Sequence, residues 1–179
     1  AILKSRLENA TVTKVGPMEF YEGTLAGCDV VIVMCGVGKV HAAMCTQVLC
    51  SRFGVNAIVN TGVAGSLDAE LDICDVLVST DAIQHDMDVT HLGYDVGKVP
   101  GLEVRAFPAD EKLRRLAFEV SEAIRPGHTK MGRVATGDQF VSSQALKDRI
   151  IADTAAKCTE MEGAAIAQVA YVNRVPFVI

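Results

Sequence analysis

The sequence predicts an α/β protein, a three-layer α/β/α sandwich around a central mixed twisted sheet. Three observations predict it. Strand-like and helix-like segments alternate along all 179 residues, without an internal repeat or a linker, which fits a single domain with a substantial core. Runs such as Cys28–Met34 are almost continuously apolar, as expected for strands covered on both faces. The glycine-rich and acid-rich turns each come after a strand segment, and in such sheets the carboxyl ends of the strands are where ligands bind.

Taken in order, residues 1–9 read as the end of a helix, with Ile2, Leu3 and Leu7 on one side. Thr11 to Leu25 reads as an edge hairpin turning near Gly16-Pro17. The apolar strand Cys28–Met34 leads into Gly36-Val37-Gly38-Lys39 and a helix from about Val40 to Phe53. Val55–Asn60 reads as a second buried strand, ending in Thr61-Gly62-Val63-Ala64-Gly65-Ser66, and Asp75–Ser79 as a third. Residues 81–108 show no periodicity and hold Gly93, Gly97, Pro100, Gly101 and Pro108, so they read as a long excursion. Asp110 caps an amphipathic helix in which Leu113, Leu116, Ala117, Val120 and Ile124 recur at helical spacing, and Pro126-Gly127 ends it. Next come a strand (Met131–Thr136), a loop (137–141), a helix (Gln144–Ala152) and a short strand (Cys158–Met161). The helix 163–173 and a final strand opening at Pro176 complete the pass.

The stretch Lys157–Ala170 carries the strongest chemical signal. Glu160 and Glu162 flank Met161, and Gly163, Ala164 and Ala165 open an apolar helix with no charged residue before Arg174. Unpaired N–H groups and a positive dipole end hold a carboxylate firmly there, and the small residues leave room for close packing. A plain helix-terminal acid fits the same residues.

Net charge is −5, and a nucleic-acid surface or an anionic membrane would instead call for clustered Lys and Arg. No apolar run approaches a bilayer span. Cysteines 28, 35, 45, 50, 74 and 158 form no C-x-x-C pair and mostly lie in apolar runs, so they read as buried reduced thiols of a cytoplasmic protein. The chain starts inside a helical pattern and stops on strand-like Val175–Ile179, and we expect it to be incomplete at both ends.

Among the turns, Gly36-Val37-Gly38-Lys39 lacks both P-loop and dinucleotide-fingerprint spacing and reads as a tight strand-to-helix turn. The small side chains of 61–66 suit either a strand-end turn or close approach of backbone to a ligand. His85-Asp86-Met87-Asp88-Val89-Thr90-His91 lacks Cys and a helical His pair, which favours local hydrogen bonding over a metal site. No hydrolase nucleophile elbow is present, and Asp138 after Gly137 suits a turn or a pocket.

Together, Gly36–Val40, Asn60–Gly65, His85–Thr90, Gly137–Phe140 and Glu160–Glu162 resemble, in order and spacing, the bacterial 5′-methylthioadenosine/S-adenosylhomocysteine nucleosidases. These belong to the purine nucleoside phosphorylase and uridine phosphorylase superfamily. The resemblance implies the nucleoside phosphorylase-like fold and hydrolysis of the N-glycosidic bond by water, without cofactor or metal. Glu162 is then the catalytic carboxylate on the ribose hydroxyls, and Met161 borders the ribose beside Glu160. Phe140 stacks on adenine, and the Val141 backbone reads the base edge. Val63, Ala64 and Gly65 line ribose and base, with Val37 on the sugar face. Val89, Leu92 and Pro100 reach the alkylthio pocket of a neighbouring subunit, implying a homodimer. Relatives carry a water-positioning acid before the point where this chain begins and a purine-protonating Asp beyond Ile179. They also have Ser in some cases where Val63 stands and often an aromatic where Leu92 stands. Alternatives are a phosphate-dependent phosphorylase, an aminodeoxyfutalosine nucleosidase and a non-catalytic nucleoside binder.

Overall fold

The computed structural model describes residues 2–179. A one-turn helix α1 (Ile2–Ser5) gives way at Glu8 to a strand, so the helical reading of residues 1–9 ends early. Strands β1 (Glu8–Val15), β2 (Met18–Leu25) and β3 (Cys28–Val33) form an antiparallel ladder with β2 in the middle. The β1–β2 turn is Gly16-Pro17, with Gly16 at φ 56, a left-handed conformation that glycine adopts without cost. The expectation that Cys28–Met34 is covered on both faces fails. β3 is exposed at Cys28 and Asp29 and half-buried onward, because it pairs with a hairpin and not with parallel neighbours.

Helix α2 (Lys39–Ser51) is next, then the short strands β4 (Ile58–Val59) and β5 (Gly65–Ser66). The buried strand expected at 55–60 shrinks to two residues paired in parallel with the last strand, and Val59 is largely exposed. Strand β6 (Val76–Gln84) runs five residues past the expected end, drawing Asp81–Gln84 out of the supposed excursion and into the sheet. There Ala82 and Ile83 are fully buried on opposite faces of the pleat, so the run lacks the polar alternation by which a half-exposed strand is read. A 3-10 turn (Thr90–Leu92) and strand β7 (Phe107–Pro108) are the regular parts of the remainder.

Helix α3 (Glu111–Ile124) begins as expected, with the Asp110 carboxylate accepting from Leu113 N. Strand β8 (Thr129–Thr136), helix α4 (Gln144–Thr154), strand β9 (Cys158–Glu160), helix α5 (Gly163–Asn173) and strand β10 (Phe177–Val178) close the order. The largest sheet is mixed, in the order β5-β9-β8-β6-β7, with β6, β8 and β9 parallel and both edges antiparallel. The β4–β10 pair abuts it, since Ser79 N donates to Ile179 O and Ile179 N to Ser79 Oγ.

The period of two along β6 and β8 sorts the core. Ala82 and Val134 face Ala42 of α2 and the alanine-rich α5, while Ile83 and Ala135 face Ile150 of α4. Helices thus cover both faces of the sheet. The small side chains Ala164, Ala165, Ala167 and Ala170 are buried and let α5 lie close to strands and α2 alike. Of the six cysteines, all free, Cys45 and Cys158 are buried and their thiols are pushed up to about 12 by burial. Cys28 and Cys74 are exposed, contrary to the reading of mostly buried thiols, because both sit in turns or at their edges.

Candidate functional site

The end of β9 and the start of α5 bring the two acids of Glu160-Met161-Glu162 into different roles. Glu160 turns inward. Its Oε2 accepts from Glu162 N (2.9 Å) and Gly163 N (2.6 Å), satisfying two of the amides left open at the start of α5. Its Oε1 accepts from the Thr136 hydroxyl, and that hydroxyl in turn accepts from Ala164 N (2.7 Å). Gly163 has no room for a side chain, since a Cβ there would stand 2.8 Å from Ile179 and 3.2 Å from the Glu160 carboxyl. Glu160, expected beside the ribose, therefore spends its carboxylate inside the protein.

Burial pushes the Glu160 carboxyl above its ordinary range, against hydrogen bonds that pull it down. The folded state then holds this proton more tightly than the unfolded chain does. The group's contribution to stability is complete below the ordinary Glu pKa and declines as pH rises through the raised value. Relative to Glu160→Gln, the wild type is expected to lose Tm as pH climbs from about 4, the ordinary Glu range, toward neutrality. Thermal melts of both proteins across that range check it, and a flat or opposite difference contradicts it.

Glu162 turns the other way. It sits at the N-cap position of α5 but makes no capping bond there; its Oε1 accepts from Gly38 N at 2.6 Å, at the N-terminus of α2. The next amide, Lys39 N, donates to Asp138 Oδ1 at 2.8 Å. Two carboxylates from distant loops thus converge on consecutive amides at the positive end of one helix. The turn that presents them needs glycine, with Gly36 at φ 88 and Gly38 at φ 92, and a Cβ on Gly38 would come within 3.0 Å of Asp138 Oδ1. This is the tight strand-to-helix turn expected of 36–39.

The other residues singled out from sequence are mostly exposed. Phe140, two residues past Asp138, is 87% exposed, while Val141 packs against the Ile83–Ala135 cluster. Met161 is half-buried. Val37 is exposed in the 36–39 turn. Val63, 95% exposed, precedes exposed Ala64 and Gly65, and Gly65 pairs with Thr159 beside the acidic segment. Val89 is half-buried, and Leu92 and Pro100 are exposed. Neither marked cleft contains Glu162 or Phe140. One of about 620 Å3 is lined by Asp110, Tyr171 and Phe177, and one of about 270 Å3 by Lys39, Gln84, Asp138 and Gln168.

The segment 85–91 divides. Asp88 makes the local turn expected of it, accepting from Thr90 N (3.1 Å) and Thr90 Oγ1 (2.7 Å). Asp86 instead reaches Lys39 Nζ (2.7 Å) and Asp138 N (2.9 Å). Among the described residues no three His, Cys, Asp or Glu side chains converge as a metal-ligand set. Sequence reasoning missed Thr136 and Gly38 N as partners of the two acids. A buried strand-end threonine and a backbone amide carry no mark of their long-range partners.

The whole chain, residues 1–179, matches the sequence model of the phosphorylase superfamily. A 5′-methylthioadenosine/S-adenosylhomocysteine nucleosidase of Anoxybacillus flavithermus is 42% identical, over 100% of this chain and 77% of that protein. Among solved structures, the nucleosidase of the same name from Neisseria meningitidis, in complex with methylthio-immucillin-A, superposes with a TM-score of 0.96. It is 36% identical over 99% of this chain and 77% of its own. The adenine complex of the Colwellia psychrerythraea enzyme gives 0.93, at 38% identity over 99% and 74%. A futalosine hydrolase of Helicobacter pylori also matches, with a TM-score of 0.92 at 32% identity over 99% and 75%.

Proposed function

The chain belongs to the phosphorylase superfamily, in its 5′-methylthioadenosine/S-adenosylhomocysteine nucleosidase branch, and from that premise we propose how it cleaves the N-glycosidic bond of those nucleosides to release adenine. The observation that carries the site is the meeting of Glu162 and Asp138 on the amides of Gly38 and Lys39. It draws the loop bearing Phe140 and the loop bearing the acid to neighbouring residues of one turn.

In this reading Glu162 is the catalytic carboxylate. Each carboxylate oxygen accepts two hydrogen bonds, so the Gly38 contact leaves Oε2 and one lobe of Oε1 for the two ribose hydroxyls. Its negative charge favours the oxocarbenium-like sugar of the transition state more than the neutral ground state, which is what lowers a barrier. Phe140 stacks on the adenine, with the Val141 backbone at the base edge. Met161, Val37 and Val63–Gly65 border the sugar and base. Glu160 positions Glu162 through the start of α5.

Water is the nucleophile. A phosphate would need free cationic clamps, and the one cation in the 36–39 turn, Lys39, is already bound by Asp86 and Gln84. Adenine release from methylthioadenosine is therefore expected at the same rate with and without phosphate. Strict phosphate dependence would turn the reading to a phosphorylase. Turnover of aminodeoxyfutalosine in place of methylthioadenosine would move it to that neighbouring branch. Binding of adenine nucleosides without turnover would make it a binder.

Residues 1–179 belong to one nucleosidase domain, and the working form is a homodimer. Val37, Leu92 and Phe140 are exposed, and α2 exposes Val40 and Met44 one turn apart, apolar side chains suited to a second copy. Val89, Leu92 and Pro100 would then line the alkylthio end of the partner's site. Six free thiols suit the reducing cytoplasm, where the reaction serves methionine salvage.

A further inference from the structure

We propose that Lys39 and Asp86 form a positioning pair that fixes the Phe140 loop against the N-terminus of α2, and so sets how tightly the chain grips a planar base. The inference rests on the proposed nucleosidase function for its second half only.

The contacts form a closed ring. Lys39 Nζ lies 2.7 Å from Asp86 Oδ1, with the two side chains 19% and 17% exposed. The other oxygen of Asp86 accepts from Asp138 N at 2.9 Å, and the Asp138 carboxylate returns to Lys39 N at 2.8 Å. Lys39 Nζ also donates to Gln84 Oε1 (3.1 Å), and Gln84 Nε2 bonds Gln168 Oε1 on α5. One ammonium therefore ties together the 36–39 turn, the end of β6, the 137–141 loop and α5.

This ring lies just upstream of the exposed side chain of Phe140, and Val141 anchors the loop just downstream in the Ile83–Ala135 cluster. An exposed aromatic between two anchors stays available to a ligand, whereas on a loose loop it would bury itself elsewhere. Holding the loop beforehand removes an ordering cost that binding would otherwise carry. Charge makes Lys39 the critical member. Without it, the Asp86 carboxylate, which accepts from Asp138 N and so lies near the Asp138 side chain, has no cation beside it, and like charges at short range repel.

The test compares wild type, Lys39→Met, Asp86→Asn and the double variant. Amide hydrogen exchange over residues 137–141 in the unliganded protein reads the loop, and calorimetry with adenine reads the grip. Lys39→Met is expected to speed exchange and weaken adenine binding about tenfold, raising KM far more than it lowers kcat. The double variant is expected to recover part of both, because Asp86→Asn removes the charge that repels Asp138, a rescue that loss of packing alone would not give. Unchanged exchange in Lys39→Met, or no recovery in the double variant, overturns the pair as a positioning device. An opened loop with unchanged adenine affinity overturns its link to base binding. A wild type that binds no adenine sinks the functional reading instead, and the exchange measurement still decides the pair.

Discussion

Glu162→Gln is expected to leave the fold intact and to lower kcat/KM about 100- to 1,000-fold, a loss of about 2.7–4 kcal/mol of transition-state stabilisation. The amide is nearly isosteric, and its oxygen still accepts from Gly38 N, the one bond this side chain makes among the described residues. What disappears is the negative charge facing a developing sugar cation and the ability of a second oxygen to accept a hydroxyl. Since the charge matters most when the sugar is cationic, the deficit should fall on kcat more than on KM. Steady-state adenine release, with circular dichroism to verify folding, measures it. Rates near wild type would show that this acid does not face the reacting sugar.

Thr136→Val is expected to cost about 2–4 kcal/mol of stability and, through it, much of the activity. Thr136 is fully buried, and its hydroxyl serves two partners, donating to Glu160 and accepting from Ala164 N. Valine matches its shape, so no cavity opens. It leaves a buried amide without an acceptor and one oxygen of the Glu160 carboxylate without its donor, and both carry a desolvation penalty. Thr136→Ser keeps the hydroxyl and should restore most of the loss, which separates hydrogen bonding from packing. Denaturant melts of the three proteins check the order. A valine variant as stable as wild type would show that Glu160 holds the start of α5 without help.

The two predictions meet because the two acids divide one task. The Glu160 carboxyl holds the first turn of α5, and that turn aims Glu162 at the N-terminus of α2. Removing the second acid should damage chemistry with little loss of stability; removing the support of the first should damage both.

Sequence alone determined the features that local periodicity and local chemistry set. Helix α5, the cap on α3 and the turn at Gly16-Pro17 were legible because spacing, a capping carboxylate and a glycine act within a few residues. Ordered turns along the chain also revealed the family. What only the tertiary structure decided was pairing over long separations. The full length of β6, the half-exposed state of β3 and the short β4 depended on which strands became neighbours. So did the division of labour between Glu160 and Glu162, and the tie from Asp86 to Lys39. A carboxylate's partner is fixed by what folding brings within about 3 Å of it, and the acid itself is the same in every setting.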